Sequence, residues 1–175
     1  MPKQMIRLAS PLQLDSFVDG PGVRMVLWTQ GCPHHCEGCH NPQTHDPQQG
    51  TLFAVDDLIE QIVHEPLQTG LTFSGGEPFW QSDKLIPIAK AAKEKGLSLW
   101  AYSGYTFEQL MADNEKKRLL ELLDVLVDGR FVMEQKDYRL KFKGSRNQRI
   151  IDVPASFKEG KVILSAYDAD NQKLQ

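Results

Sequence analysis

The sequence predicts an α/β fold: parallel strands with flanking helices, as an open sheet or a compact partial (β/α) barrel. Three observations carry that prediction. Apolar runs rich in β-branched and aromatic residues recur along the chain as VRMVLWT, LTFS, LSLWAY and DVLVDGRF. Stretches of helical character separate them, and such alternation marks parallel βα units. The length, 175 residues, suits one domain over 1–175 with a single core.

In chain order, a short amphipathic start leads into Val23–Thr29, a buried strand. Residues Val55, Leu58, Ile59, Ile62 and Val63 fall on one face of a helix. Leu71–Ser74 is the second strand and runs into the sharp turn GGEP. Ser82 can cap a helix that continues to about Lys95 and ends at Gly96. LSLWAY is the third strand, and Thr106 with Gln109 fits a capping box for the next helical segment. Asp124–Phe131 is the fourth strand, and QRIIDV from Gln148 is a fifth. Folds of this class place their chemistry in the loops after the strands. The cysteine segment, GGEP, SGYT and DGRF are therefore expected on one rim.

Apolar residues make up 41% and charged residues 25%, ordinary for a globular chain, and the formal net charge is −3. No global field draws such a chain to nucleic acid or an anionic membrane. Seven Lys or Arg residues accumulate between Arg130 and Arg149, a local basic stretch. The N-terminus has no signal-peptide core and no segment is apolar enough to span a bilayer, so a cytoplasmic protein with reduced thiols is expected.

All three cysteines lie in GCPHHCEGCHNP, from Gly31 to Pro42, with three of the five histidines. Four chemistries compete for this segment. A disulfide leaves one thiol over. CEGCH matches the C-x-x-C-H haem attachment pattern, but that leaves Cys32 idle and requires an export route. Zinc could take Cys32, Cys36, Cys39 and a histidine as a tetrahedral site. The spacing Cys32-x₃-Cys36-x₂-Cys39 also suits three corners of a 4Fe–4S cube with one iron left open. Gly31, Pro33 and Gly38 let the loop fold back so that the thiolates converge.

This cysteine spacing after a first strand, followed by GGEP after a second, resembles the radical S-adenosylmethionine (SAM) superfamily. DGPGVR (Asp19–Arg24), SGGEP, WAYSGYT (Trp100–Thr106), LVDGRF (Leu126–Phe131) and GSRNQR (Gly144–Arg149) resemble the activating proteins of glycyl-radical enzymes. Compact length, Gly38 before Cys39 and the late GSRNQR point to the branch that serves anaerobic (class III) ribonucleotide reductase. The likeness spans about residues 19–152 and leaves the C-terminal tail unassigned.

The resemblance implies a radical SAM partial barrel, an oxidoreductase that binds a 4Fe–4S cluster through Cys32, Cys36 and Cys39. It implies that SAM occupies the open iron and is cleaved reductively to a 5′-deoxyadenosyl radical. That radical takes hydrogen from a glycine on the reductase's catalytic subunit, with a flavodoxin-type electron donor. By the same resemblance, Gly75, Gly76, Glu77 and Pro78 hold the SAM amino group, with Glu77 as an anionic acceptor. Ser103, Gly104 and Asp128 would line its ribose and carboxylate, with a monovalent cation near the latter. Many members carry an aromatic residue just before the third cysteine; here it is Gly38, which leaves His40 as the candidate for adenine.

Blander roles are set against these. Asp128 could begin a D-G turn, and Arg130 could be solvated rather than pair with the SAM carboxylate. Asn147 and Arg149 could satisfy a loop–strand junction rather than touch SAM. Arg24 reads as structural, His34, His35 and His45 as exposed loop residues, and Trp28, Trp80 and Trp100 as packing. Activation of a pyruvate formate-lyase type enzyme, a small-molecule reaction such as deazapurine-ring synthesis, and a zinc-stabilised binding module are the competing functions.

Overall fold

The computed structural model describes residues 2–172; Met1 and the last three residues of the unassigned tail lie outside it. The architecture is a mixed α/β fold with one eight-stranded sheet. The strands are β1 (Met5–Leu8), β2 (Gln13–Ser16), β3 (Arg24–Thr29), β4 (Thr51–Ala54), β5 (Gly70–Gly75), β6 (Ser98–Tyr102), β7 (Val125–Asp128) and β8 (Arg149–Asp152). The helices are α1 (Val55–His64), α2 (Ser82–Glu94), α3 (Phe107–Met111), α4 (Asn114–Leu120), α5 (Val153–Glu159) and α6 (Ala166–Gln172).

Strand order is β4-β1-β3-β5-β6-β7-β8, with β2 paired to β3 off this path. The strands read from the sequence, β3, β5, β6 and β7, form the parallel centre. The all-parallel expectation is corrected at the edges: β1, β2, β4 and β8 pair antiparallel. The helix start is also corrected. The Ser82 hydroxyl donates to the Phe79 carbonyl at 2.7 Å, because a short 3-10 turn, Pro78–Gln81, already leads into α2. The Thr106–Gln109 capping box is present in both directions.

Alternation along the central strands sorts their side chains onto two faces. Leu27, Leu71, Phe73, Leu99 and Leu126 are buried with Leu58, Ile62, Leu85 and Ile88 of α1 and α2. The other face carries Trp100, Val125, Val127 and Ile150, with Arg24 at its base. Arg24 is fully buried there. Its guanidinium donates to Thr72 Oγ1, the Ser98 hydroxyl and the carbonyls of Pro21, Leu71 and Ser98 at 2.6–3.1 Å. It also lies 5.6 Å from the Trp100 ring centroid. Burial lowers Arg24 from its ordinary value to about 10, so it stays charged at neutral pH. Arg24 closes the base of the sheet, leaving the opposite end for chemistry. No helix among the described residues is long and apolar enough to cross a membrane.

Candidate active site

The loops after β3, β5, β6 and β7 meet around a cavity of about 120 Å³ whose walls include Cys32, Cys36, Cys39, Gly75, Gly76 and Ser103. The single rim expected from the sequence is present. A wider hollow of about 500 Å³ shares Cys36, Cys39, Gly75 and Tyr102 and reaches Val18, His40 and Phe142.

The cysteine loop is tied down by its main chain. Gly31 N–H donates to the Thr44 carbonyl at 2.7 Å, Cys32 N–H to His45 at 3.1 Å, and Cys39 N–H to Cys36 at 3.1 Å. Gly38 takes a φ of 72°, the left-handed turn that folds Cys39 back toward Cys36, and an added Cβ would strike Met133. All three thiols are free and partly buried. Burial pushes the Cys32 thiol up, opposed by N–H groups of His34 and His35, while the nearby Glu77 carboxylate pushes in the same direction as burial.

The donor set fits an iron–sulfur cube. A cube presents its irons at separate corners, so its three thiolates need not converge on one point. Cys32, Cys36 and Cys39 all line the one cavity. Among the described residues, His34 Nδ1 and His45 Nε2 are buried ring nitrogens without a partner, and both rings line the cavity. Orphaned polar atoms beside three thiols suit a wall built to meet a polar occupant.

The GGEP turn is pinned to the cysteine loop. Gly75 takes a φ of 102°, and an added Cβ would meet the Thr29 backbone. Gly76 N–H donates to Thr29 and Glu77 N–H to Gly31, each at 2.8 Å. The Glu77 side chain departs from expectation. Its Oε1 accepts from Phe79 N–H at 3.1 Å and the Ser103 hydroxyl at 2.9 Å. Its Oε2 accepts from Gly104 N–H at 2.9 Å and His34 Nε2 at 2.7 Å. The residue is 1% exposed, so the carboxylate is spent inside the protein rather than offered to an ammonium group. Pro78 is buried at the start of the 3-10 turn, leaving Gly75 and Gly76 as the part of GGEP that faces the cavity.

The remaining candidates divide. Ser103 and Gly104 line the cavity, and so do Arg130 and Gln148. His40 lines the wider hollow with its ring 5.1 Å from Phe131. Asp128 is turned away: its Oδ2 accepts from Phe107 N–H at 2.8 Å, and both oxygens meet Arg149. Asn147 donates to the Arg130 carbonyl at 2.8 Å, and Arg149 also reaches Glu108, so both serve the junction. The sequence placed His34 in solvent, whereas its side chain is 4% exposed. Its partner lies 43 residues away, and no local pattern signals that pairing. The Gln148 amide, which binds Gly144 N–H and the Gly129 carbonyl, was also missed.

A family of 4Fe-4S single cluster domains matches residues 18–151. The anaerobic ribonucleoside-triphosphate reductase-activating protein of Haemophilus influenzae is 35% identical over 143 residues, covering 76% of this chain and 90% of its own. The chain belongs to this family. The activating proteins of Escherichia coli K12 and of phage T4 are each 35% identical over 142 residues. They cover 75% and 77% of this chain, and 90% and 86% of their own lengths. The crystal structure of QueE from Escherichia coli gives a TM-score of 0.49 at 16% identity, over 58% of this chain and 53% of that one. That likeness is too slight to bear on function.

Proposed function

We propose that this chain activates an anaerobic ribonucleotide reductase by generating a glycyl radical on its catalytic subunit, with a 4Fe–4S cluster and SAM as cofactors. The observation that carries the proposal is the shared cavity: the thiols of Cys32, Cys36 and Cys39 open into the same space as Gly75, Gly76 and Ser103. When bound, the cluster supplies the electron that cleaves the S–C5′ bond of SAM, and the resulting adenosyl carbon radical removes a glycine hydrogen.

Cys32, Cys36 and Cys39 would hold three irons as thiolates and leave the fourth to SAM. The main chain at Gly75 and Gly76, which lines the cavity, would receive the SAM amino group. Ser103 and Gly104 would border its carboxylate and ribose, and His40, on the wider hollow, would face the adenine. A monovalent cation beside the carboxylate would have to be held without Asp128, which Arg149 engages. The central strands are read as a partial (β/α) barrel, its open side admitting the partner's glycine-bearing segment. A flavodoxin-type protein would deliver the electron.

The test is anaerobic incubation of the reconstituted protein with SAM, reductant and the reductase subunit. The expected result is methionine and 5′-deoxyadenosine, together with a carbon-radical doublet on the reductase in electron paramagnetic resonance. SAM cleavage with no radical on the reductase, but one on a pyruvate formate-lyase type enzyme, would move the proposal to that partner. No cleavage with any partner would overturn it.

A further inference from the structure

We propose that His34 is a positioning residue: through Glu77 it sets the cluster-binding loop at a fixed distance from the backbone that receives SAM. This rests on the function proposed above. His34 lies midway between Cys32 and Cys36, and its Nε2 is 2.7 Å from Glu77 Oε2 with both side chains at or below 4% exposure. Glu77 is where three of the four rim loops converge. It accepts from His34 of the cysteine loop, from Phe79 within its own turn, and from Ser103 and Gly104 after β6. The ring is also held edge-on to Tyr105, 4.6 Å between centroids, and it fills the space that a Cβ on Gly104 would need. Glu77, Tyr105 and Gly104 thus all bear on this side chain.

The bonding fixes its chemistry. A carboxylate accepting from several donors leaves Nε2 to carry the proton, and the other nitrogen, Nδ1, is buried without a partner in a ring that lines the cavity. A carboxylate that orients a histidine beside a metal site is a recurrent supporting arrangement. Here the histidine sits within the ligand loop, so its orientation fixes the path of the chain between Cys32 and Cys36. Losing it leaves three cysteines able to hold iron on a loop whose placement relative to Gly75 and Gly76 is no longer set. Small misplacements of reacting groups are costly.

The test uses anaerobically reconstituted full-length protein and the variants His34→Gln, His34→Asn and His34→Leu. Iron content, the spectrum of the reduced cluster and its titration with SAM are measured for each. Gln places an amide N–H where Nε2 lies, and Asn places one where Nδ1 lies. His34→Leu is expected to keep its iron but bind SAM on the order of tenfold more weakly, because the receiving backbone is misplaced. His34→Gln is expected to restore most of that affinity and His34→Asn little of it. Equal behaviour of Gln and Asn, or wild-type SAM binding by His34→Leu, would overturn the proposal. Should His34→Leu lose its iron, the Gln–Asn comparison still decides. Failure of the functional reading is distinguishable, since the wild-type spectrum would then ignore SAM.

Discussion

Asp128 and Arg149 are register partners on the antiparallel pair β7–β8, and their side chains meet at 2.5 Å. The pair closes the edge of the sheet beside the site, with Glu108 as a second carboxylate at 2.8 Å. Its geometry gives Asp128 a structural task in place of the SAM contact that the family resemblance implied. Arg149→Leu leaves a buried carboxylate without its cation. Because Arg149 is about a third exposed, the expected cost is on the order of 2 kcal/mol rather than that of a fully buried pair. Urea denaturation of the cluster-free protein measures it, and SAM affinity of the reconstituted variant is expected to stay unchanged.

Arg24 offers a sharper stability test. Its five hydrogen bonds all go to neutral acceptors at the base of the sheet. Arg24→Met removes every one of those donors from a dry environment and is expected to cost about 3 kcal/mol. Arg24→Lys keeps the charge but not the planar fork and should recover only part of that loss. Equilibrium unfolding of the two variants checks the order.

Replacing any one of Cys32, Cys36 or Cys39 by serine is expected to reduce bound iron to background while the far-ultraviolet circular dichroism stays native. None of the three belongs to the hydrophobic core, so the fold does not depend on them. Iron analysis after anaerobic reconstitution provides the measurement. Adding a chelator to wild-type protein should likewise abolish SAM cleavage without unfolding the chain.

The basic stretch between Arg130 and Arg149 is less uniform than its composition suggests. Lys143 pairs with Asp168 at 2.8 Å, both at 6% exposure, and Arg149 is engaged as described. Lys136 and Arg146 remain on the surface side, with Arg139 held by an exposed bond to Asp137. Reversing the charges of Lys136, Arg139 and Arg146 together should weaken binding of the reductase subunit on the order of tenfold at low salt, and less at high salt. Titration calorimetry at two ionic strengths checks both parts.

The central strands were legible because Val26, Leu27, Phe73, Leu99 and Leu126 sit in apolar runs bounded by turn residues. The Thr106–Gln109 box was legible because capping chemistry is local. The edge strands β2 and β4 were not: each has only four residues, β2 is mostly exposed, and the apolar run of β4 passes directly into α1. The antiparallel entry of β8 was hidden because strand direction depends on how the intervening segment turns, which QRIIDV does not encode. Helix α5 had a signal that went unread, Asp152 capping Ala155 with Pro154 in the first turn. At the site, spacing suggested the cysteines and the family resemblance suggested the glycines, and both sets line one cavity. The role of Glu77 could not be read from either, because it depends on His34, Ser103 and Gly104 arriving from two other loops.

The most direct test of the central claim is electron paramagnetic resonance on anaerobically purified, dithionite-reduced protein, recorded with and without SAM. The predicted result is a reduced 4Fe–4S signal whose shape changes when SAM is added, as an iron without a cysteine ligand requires. A cluster signal indifferent to SAM, or zinc in place of iron after strict anaerobic handling, would contradict it.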